Sequence, residues 1–205
     1  GLFSMDGDFA PLPGIIDLAG RRGAGLIVDD AHAVGSVGPG GRGTFDKFGR
    51  RPGERHILIG TLSKTLASFG GFVAAEKNVV RYVKARSREF IYTTAAPPFQ
   101  VIAAAEALSV VRSAAGAALR RKLRGNIKLL GKHLRRNLES PIVGVLVSGG
   151  PVGVVASARK LWDAGCFAVG MRYPTVPRGQ EMIRVSLSAA HKESDVRRLA
   201  SAILA

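Results

Sequence analysis

Two short apolar segments constrain the fold of this chain more than any other feature. Gly25-Leu-Ile-Val-Asp29 is an apolar run that ends in a carboxylate, and His56-Ile-Leu-Ile-Gly60 is a second run of similar length. Such runs are typical of buried strands in parallel sheets. A third strand candidate covers 70–75, and amphipathic helical segments cover 11–22 and 78–88. Strands that alternate with helices predict an α/β layered domain.

The character of the chain changes from Ala115 onward, after one more apolar segment. Residues 97–113 are rich in Ala, Val and Ile and predict a mostly buried helix. The segment from there to Ser140 predicts an amphipathic helix with one buried apolar stripe. Further strands are predicted at 142–147, 167–171 and 183–187, and further helices at 154–164 and from Glu193. We therefore predict two domains, 1–114 and a compact α+β unit at 115–205.

Composition excludes several classes of protein. Hydrophobic residues make up 46% of the chain, which is enough to bury a core and excludes wholesale disorder. A single cysteine, Cys166, excludes a disulfide scaffold and a Cys-rich metal site, and we expect it to be a packed small residue. No segment is long and apolar enough to span a bilayer, and no signal peptide opens the chain, where 1–5 is predicted to be the end of a short strand. We expect a soluble, cytoplasmic protein; because it starts without a methionine, we also expect a fragment.

The net charge of +15, from 30 Lys and Arg against 15 Asp and Glu, raises the question of a nucleic-acid partner. Much of this positive charge lies in the predicted amphipathic helix between Ala115 and Ser140. No aromatic residues that could stack on bases interleave these charges, so we expect a solvated face and no nucleic acid. The basic residues there are Arg120, Arg121, Lys122, Arg124, Lys128, Lys132, Arg135 and Arg136.

An acid, a histidine and a lysine follow successive predicted strands. They are Asp29, His32 and Lys64, and the lysine lies within Gly60-Thr-Leu-Ser-Lys-Thr65, where hydroxyls flank it. Ligands collect at the carboxyl ends of strands in open α/β sheets. A Schiff-base lysine, a carboxylate that holds a protonated pyridine nitrogen and hydroxyls for a phosphate are the groups that a pyridoxal phosphate (PLP) enzyme needs. Spacing alone leaves a buried acid–lysine pair or a solvated lysine as alternatives.

Five blocks along the chain, in order, resemble the α-oxoamine synthase family of PLP-dependent acyltransferases. These blocks are Phe3-Ser-Met-Asp-Gly-Asp8, Val28-Asp-Asp-Ala-His32 with Gly38-Pro-Gly-Gly-Arg-Gly43, Gly60-Thr-Leu-Ser-Lys64 with Gly70-Gly71, Phe90-Ile-Tyr-Thr-Thr-Ala-Ala-Pro-Pro98, and Tyr173-Pro-Thr-Val-Pro-Arg-Gly179 with Ser188-Ala-Ala-His191. The resemblance implies the type I fold of PLP enzymes, an α/β fold with part of a large domain and a small α+β domain. It also implies condensation of an amino acid with an acyl-CoA, usually with loss of carbon dioxide, in a homodimer.

The resemblance also assigns roles near the cofactor ring. It implies that Lys64 forms the Schiff base and later moves the substrate α-proton, and we expect burial beside the cofactor to suit this lysine to base chemistry. It implies that Asp29 binds the pyridine nitrogen and that His32 lies near the phenolic oxygen. By the same resemblance, Ser4 lies on the side of the ring that faces His32.

Phosphate and substrate contacts follow from the same resemblance. It implies that Thr61 and Ser63 bind the cofactor phosphate, and that Thr94 reaches the phosphate of the neighbouring subunit. Arg184 resembles the arginine that binds the substrate carboxylate, for which a bidentate guanidinium is suited. Arg172 is a second candidate for the same region.

Other conspicuous features have structural interpretations. The loop 35–43 resembles a phosphate cradle but lacks a P-loop lysine, so we expect backbone turns with a structural Arg42. Asp30 is expected to be a loop or capping carboxylate, and His191 to tie the second domain together. Ala67 stands where the family commonly has glycine.

The resemblance covers nearly all of this chain but about half of a family member. Upstream of Ser4 there is no glycine-rich phosphate loop and no ring-stacking residue. We therefore expect the chain alone to bind PLP poorly. A non-decarboxylating glycine C-acyltransferase remains an alternative within the fold, and a non-catalytic partner subunit of a heterodimer is an alternative of another class.

Overall fold

The computed structural model describes all 205 residues and divides into two compact units. The first unit contains Gly1–Leu2 and Phe9–Ala118, and the second contains Phe3–Asp8 and Leu119–Ala205. The predicted domains, 1–114 and 115–205, differ from these units chiefly in the placement of Phe3–Asp8.

The first unit is built on a mixed three-stranded sheet in the order β1-β2-β3. Strand β1 is parallel to β2, with Asp29 opposite Ile59, and β3 is antiparallel to β2, with Gly71 opposite Thr61. The elements are α1 (Leu12–Arg21), β1 (Leu26–Asp29), α2 (Thr44–Lys47), β2 (His56–Thr61), β3 (Gly71–Ala74), α3 (Lys77–Arg86), α4 (Arg88–Ile91) and α5 (Pro98–Arg112).

Only part of the apolar surface of this unit is covered. Leu12, Val28 and Phe45 form a small buried cluster between the sheet and its first two helices. Ile27, in the same strand as Val28, is 64% exposed. Parallel strands carry apolar residues on both faces because both are normally covered, so the sheet has an open apolar face within this chain.

The prediction that 97–113 is mostly buried is wrong. Helix α5 forms there, yet Ala104 is its only buried residue. The apolar composition that predicted burial identifies a surface with no partner in this chain. The exposed large apolar side chains of α5 are Phe99, Val101, Ile102, Leu108 and Val110.

The second unit has a core of its own. An antiparallel sheet in the order β4-β6-β5 packs against helices through residues that include Leu130, Val143, Val154, Ile183 and Val196. Its elements are β4 (Ile142–Leu146), α7 (Gly150–Asp163), β5 (Val169–Met171), β6 (Met182–Ser186), α8 (Glu193–Leu204) and most of α6 (Ala114–Leu134), whose first residues belong to the first unit.

The start of the chain differs from its predicted structure. The expected strand at 1–5 does not form: Leu2 makes an isolated bridge with Phe9, and a turn lies between them. In this region the backbone bonds close a local turn instead of a ladder, as Gly7 N donates to Phe3 O at 3.1 Å.

No single helix is long and apolar enough to cross a membrane. The bent pair Pro98–Arg112 and Ala114–Leu134 reaches the required length and apolar composition only when the two helices are taken together.

Candidate active site

The carboxyl end of β1 carries two adjacent carboxylates in opposite environments. The Asp29 side chain is exposed, and its Oδ1 accepts a hydrogen bond from Ala31 N at 2.9 Å. Asp30 is fully buried and accepts from Thr44 N at 2.7 Å and from the Thr44 hydroxyl. His32 follows in a turn and is partly buried. Only the first of the two carboxylates is accessible to a ligand.

The lysine follows β2 in a tight, hydrogen-bonded loop. Thr61 Oγ1 lies 2.7 Å from Ser63 Oγ and donates to Gly70 O at 3.0 Å. Ala67 N donates to Lys64 O at 3.0 Å, which closes a turn around the lysine. These bonds fix the backbone of the loop, and Lys64 is exposed.

Buried and hydrogen-bonded residues anchor this loop. Leu66 is buried, and Ser68 Oγ donates to Gln100 O in α5 at 2.6 Å. Lys64 itself is exposed in this chain, and its burial beside the cofactor stays a prediction. No residue of this chain packs over the Lys64 side chain closely enough to bury it.

Strand direction brings the two segments to one edge of the sheet. Because β1 and β2 are parallel, their carboxyl ends lie at the same edge. Asp30 N donates to Ile59 O at 2.8 Å, which joins the end of β1 to β2 shortly before Thr61. The edge therefore collects Asp29, the His32 turn and the loop of Lys64. The sequence predicted this clustering from the position of each residue after a strand.

Thr94 forms no hydrogen bond with these loops in the structure. It is exposed in the segment between α4 and α5. The flanking aromatic residues Phe90, Tyr92 and Phe99 are exposed as well. Its contact with a neighbouring subunit stays a prediction.

In the second unit, the predicted substrate arginine is held in a defined orientation. Arg184 Nε donates to Ser4 O at 2.5 Å, and Nη1 donates to Ser186 Oγ at 3.0 Å. Burial lowers the pKa of the Arg184 guanidinium from its ordinary value, and an arginine side chain stays charged in proteins. The side chain is a fixed cation with its Nη2 group left for a ligand. Ser4 thus contacts Arg184 through its carbonyl oxygen. Arg172, just beyond β5, is exposed.

Two residues of the second unit have the structural settings expected of them. His191 Nδ1 accepts from Ser188 N at 3.1 Å, and Cys166 packs against the core. Sequence reasoning missed buried Asn126, whose amide donates to Ser188 O at 3.0 Å and to His191 O at 3.1 Å. A polar residue within the apolar stripe of α6 was the available signal for this role.

Comparison with known proteins places the chain in a family. The family model for class I and II aminotransferases matches residues 1–203, and the chain belongs to that family. The 8-amino-7-oxononanoate synthase of Dechloromonas aromatica (strain RCB) is 40% identical over 207 residues, which cover 98% of this chain and 53% of that protein.

Solved structures agree with this assignment. A high-resolution structure of SPT with a PLP internal aldimine matches with a TM-score of 0.91 and 28% identity, over 99% of this chain and 52% of that one. The 8-amino-7-oxononanoate synthase of Francisella tularensis matches with a TM-score of 0.80 and 25% identity, over 99% of this chain and 60% of that one. The predicted family resemblance and fold class are confirmed. The chain spans about half the length of the curated relatives it matches.

Proposed function

We propose that this chain carries the lysine-bearing half of a PLP-dependent acyltransferase. The enzyme would condense an amino acid with an acyl-CoA and release carbon dioxide, as expected for a protein similar to 8-amino-7-oxononanoate synthases. The observation that carries the proposal is the edge of the first sheet, where an accessible carboxylate, two hydroxyls and an exposed lysine follow two parallel strands.

The groups at this edge fit PLP by their chemistry. Asp29 is an accessible carboxylate that suits a protonated pyridine nitrogen. Thr61 and Ser63 offer hydroxyls for a phosphate, and the Lys64 amine is accessible to an aldehyde. When bound, PLP supplies an electron sink for the carbanion formed at the substrate α-carbon.

The residues of the first unit then have separate tasks. Lys64 Nζ would hold the cofactor through its aldehyde, and the free Nζ would accept the proton from the substrate α-carbon. Asp29 holds a proton on the pyridine nitrogen through a charge-assisted hydrogen bond. His32 donates a hydrogen bond to the phenolic oxygen and assists acyl transfer. Their common position at strand ends suits simultaneous contact with one flat ligand.

The second unit supplies the substrate cation. We assign the substrate carboxylate to Arg184, because Ser4 and Ser186 hold its guanidinium and leave Nη2 for a ligand. Arg172 is a second, more exposed cation for the same role. Ser4 supports Arg184 and borders the cofactor in this proposal.

The proposal also concerns polypeptide beyond this chain. The relatives are about twice as long. The open face of the first sheet and the outer surface of α5 are apolar areas that a further half-domain or a partner subunit would cover. We propose a homodimer in which Thr94 reaches the neighbouring site, and a cytoplasmic location.

The first experiment replaces the lysine in the complete protein. Lys64→Ala should abolish the visible absorption of the lysine-bound cofactor and the turnover of amino acid and acyl-CoA, because no other amine lies in that loop. Lys77→Ala, an exposed lysine at the start of α3, is the matched control and should keep both. Activity retained in Lys64→Ala would refute the assignment.

A second experiment separates the two reaction types. Decarboxylative condensation releases one carbon dioxide for each coenzyme A released. Measuring both products with a panel of amino acids and acyl-CoA thioesters distinguishes it from a glycine C-acyltransferase. Release of coenzyme A with no carbon dioxide would favour the latter.

A further inference from the structure

We infer that Asp30 is a positioning residue that holds the turn carrying Asp29 and His32 against the glycine-rich loop. The inference rests on the proposed function for the roles of those two neighbours. Sequence reasoning gave Asp30 no catalytic role, and none is assigned here, because its side chain is fully buried and no ligand can reach it.

The hydrogen bonds of Asp30 converge from two directions. Its carboxylate accepts from both the backbone N–H and the hydroxyl of Thr44, the first residue of α2, which is itself fully buried. Its backbone carbonyl accepts from Ala33 N at 2.8 Å and from Val34 N at 3.0 Å, which closes the turn that contains His32. One residue thus joins the His32 turn to the start of α2.

The intervening loop is built to allow this contact. Gly43 has a φ of +89°, and a β-carbon there would collide with Asp30 Oδ2. Asp46 holds the middle of the loop by accepting from Gly40 N at 2.6 Å and from Arg42 Nη2 at 3.1 Å, which gives Arg42 the structural role expected of it. The two carboxylates therefore hold different parts of the loop.

The same loop contacts the segment that carries the lysine. Gly35 has a φ of +86°, and a β-carbon there would lie 2.6 Å from Thr65 Cγ2, in the residue next to Lys64. Gly35 N donates to Gly41 O at 2.8 Å, which ties this contact to the rest of the loop. The loop thus contacts both the turn that carries Asp29 and the turn that carries Lys64. Asp30 holds its carboxyl-terminal end through the hydrogen bonds to Thr44.

Burial of a carboxylate is costly unless hydrogen bonds compensate it. At Asp30 the compensation comes from Thr44, so any loss of these bonds leaves an uncompensated group and loosens both segments. Asp30→Asn keeps the side-chain shape and replaces one acceptor with a donor that faces the donors of Thr44. Thr44→Val removes the hydroxyl donor from the other side and is the milder variant.

The first readout is amide hydrogen exchange of residues 31–37 in the chain without cofactor. Asp30→Asn should accelerate exchange there by roughly ten- to hundredfold, because bonds to charged groups are among the stronger ones, and Thr44→Val should do so to a smaller extent. Asp46→Asn is the matched control and should accelerate exchange at 38–42 only. Wild-type exchange at 31–37 in both test variants would overturn the inference.

The second readout is made on the PLP-loaded complete protein. Asp30→Asn and Thr44→Val should weaken PLP binding and shift the pH midpoint of the visible absorption of the lysine-bound cofactor, whereas Asp46→Asn should leave that midpoint unchanged. Faster exchange with an unchanged midpoint would overturn the positioning role, because a purely structural residue behaves in that way. A wild-type protein that never binds PLP would refute the proposed function instead, and the exchange comparison would then decide alone whether Asp30 holds the turn.

Discussion

Asp29 and Asp30 are neighbours in sequence, yet their side chains face different surroundings. The first is exposed at the strand end, and the second is fully buried against Thr44. Alternation along an extended segment sends consecutive side chains to opposite sides. One position is therefore accessible to a ligand and the next contacts the loop beside it, so substitutions at the two sites should have different effects.

Substitution of the exposed carboxylate should affect chemistry more than cofactor attachment. We expect Asp29→Asn in the complete protein to leave the cofactor on Lys64 but to slow substrate α-proton exchange by about a hundredfold or more, because an amide holds the pyridine proton poorly. The measurement is loss of deuterium from the α-carbon of the amino acid, with the surface variant Asp163→Asn as control. An unchanged exchange rate would remove Asp29 from its role.

The lysine loop contains a residue in a conformation that suits glycine. Ala67 has a φ of +48°, which is unfavourable for a residue with a β-carbon. We expect Ala67→Gly to raise the free energy of unfolding by about 0.5–1 kcal/mol, since relief of this strain exceeds the added chain entropy of glycine. Urea unfolding measures the difference. Ala24→Gly, at a position without positive φ, is the control and should give no gain; a loss of stability in Ala67→Gly would contradict the prediction.

At the scale of elements, the start of α8 is stabilised by a carboxylate. Asp195 accepts from Lys192 N at 2.9 Å and from Arg198 Nη2 at 2.7 Å. The backbone hydrogen bond from Lys192 is the main reason that the pKa of Asp195 lies below its ordinary value, and Arg198 lowers it further. The ionised side chain thus helps to begin the last helix of the second unit.

This environment predicts a pH-dependent contribution to stability. Because the pKa is depressed in the folded state, the stabilisation is present above the pKa of the unfolded state, about 4. It is lost as the pH falls through the lower, folded-state value. Asp195→Asn should therefore be less stable than the parent at neutral pH. In acid the free energies of unfolding of the two proteins should become equal. Glu193→Gln serves as control, and a stability difference that persists in strong acid would contradict the prediction.

Periodicity predicted elements well and burial less well. The three- and four-residue spacing in α6 predicted one buried apolar stripe, and Leu123, Ile127 and Leu130 are buried because their partners lie within the second unit. Leu119, at the start of that stripe, is 48% exposed. Helix α5 has equally apolar residues, but no surface of this chain covers most of them. A local pattern shows which residues favour burial, whereas actual burial requires a partner surface.

At the scale of the whole molecule, the order of strands and loops predicted the candidate site because parallel strands bring their carboxyl ends to one edge. That rule located Asp29, His32 and Lys64 together. It could not find the contact between Asp30 and Thr44, which spans a loop whose path depends on several glycine conformations. That rule also could not predict the exposure of Lys64, because strand order alone does not show which residues cover the edge.

The central claim is that Lys64, one of nine lysines, is the residue that binds the cofactor. The most direct measurement is borohydride reduction of the complete protein with PLP, followed by mass spectrometry of its peptides. The label should be found on Lys64 and disappear when substrate amino acid is added before reduction, because the substrate displaces the lysine. A label on another lysine, or none on Lys64, would contradict the account.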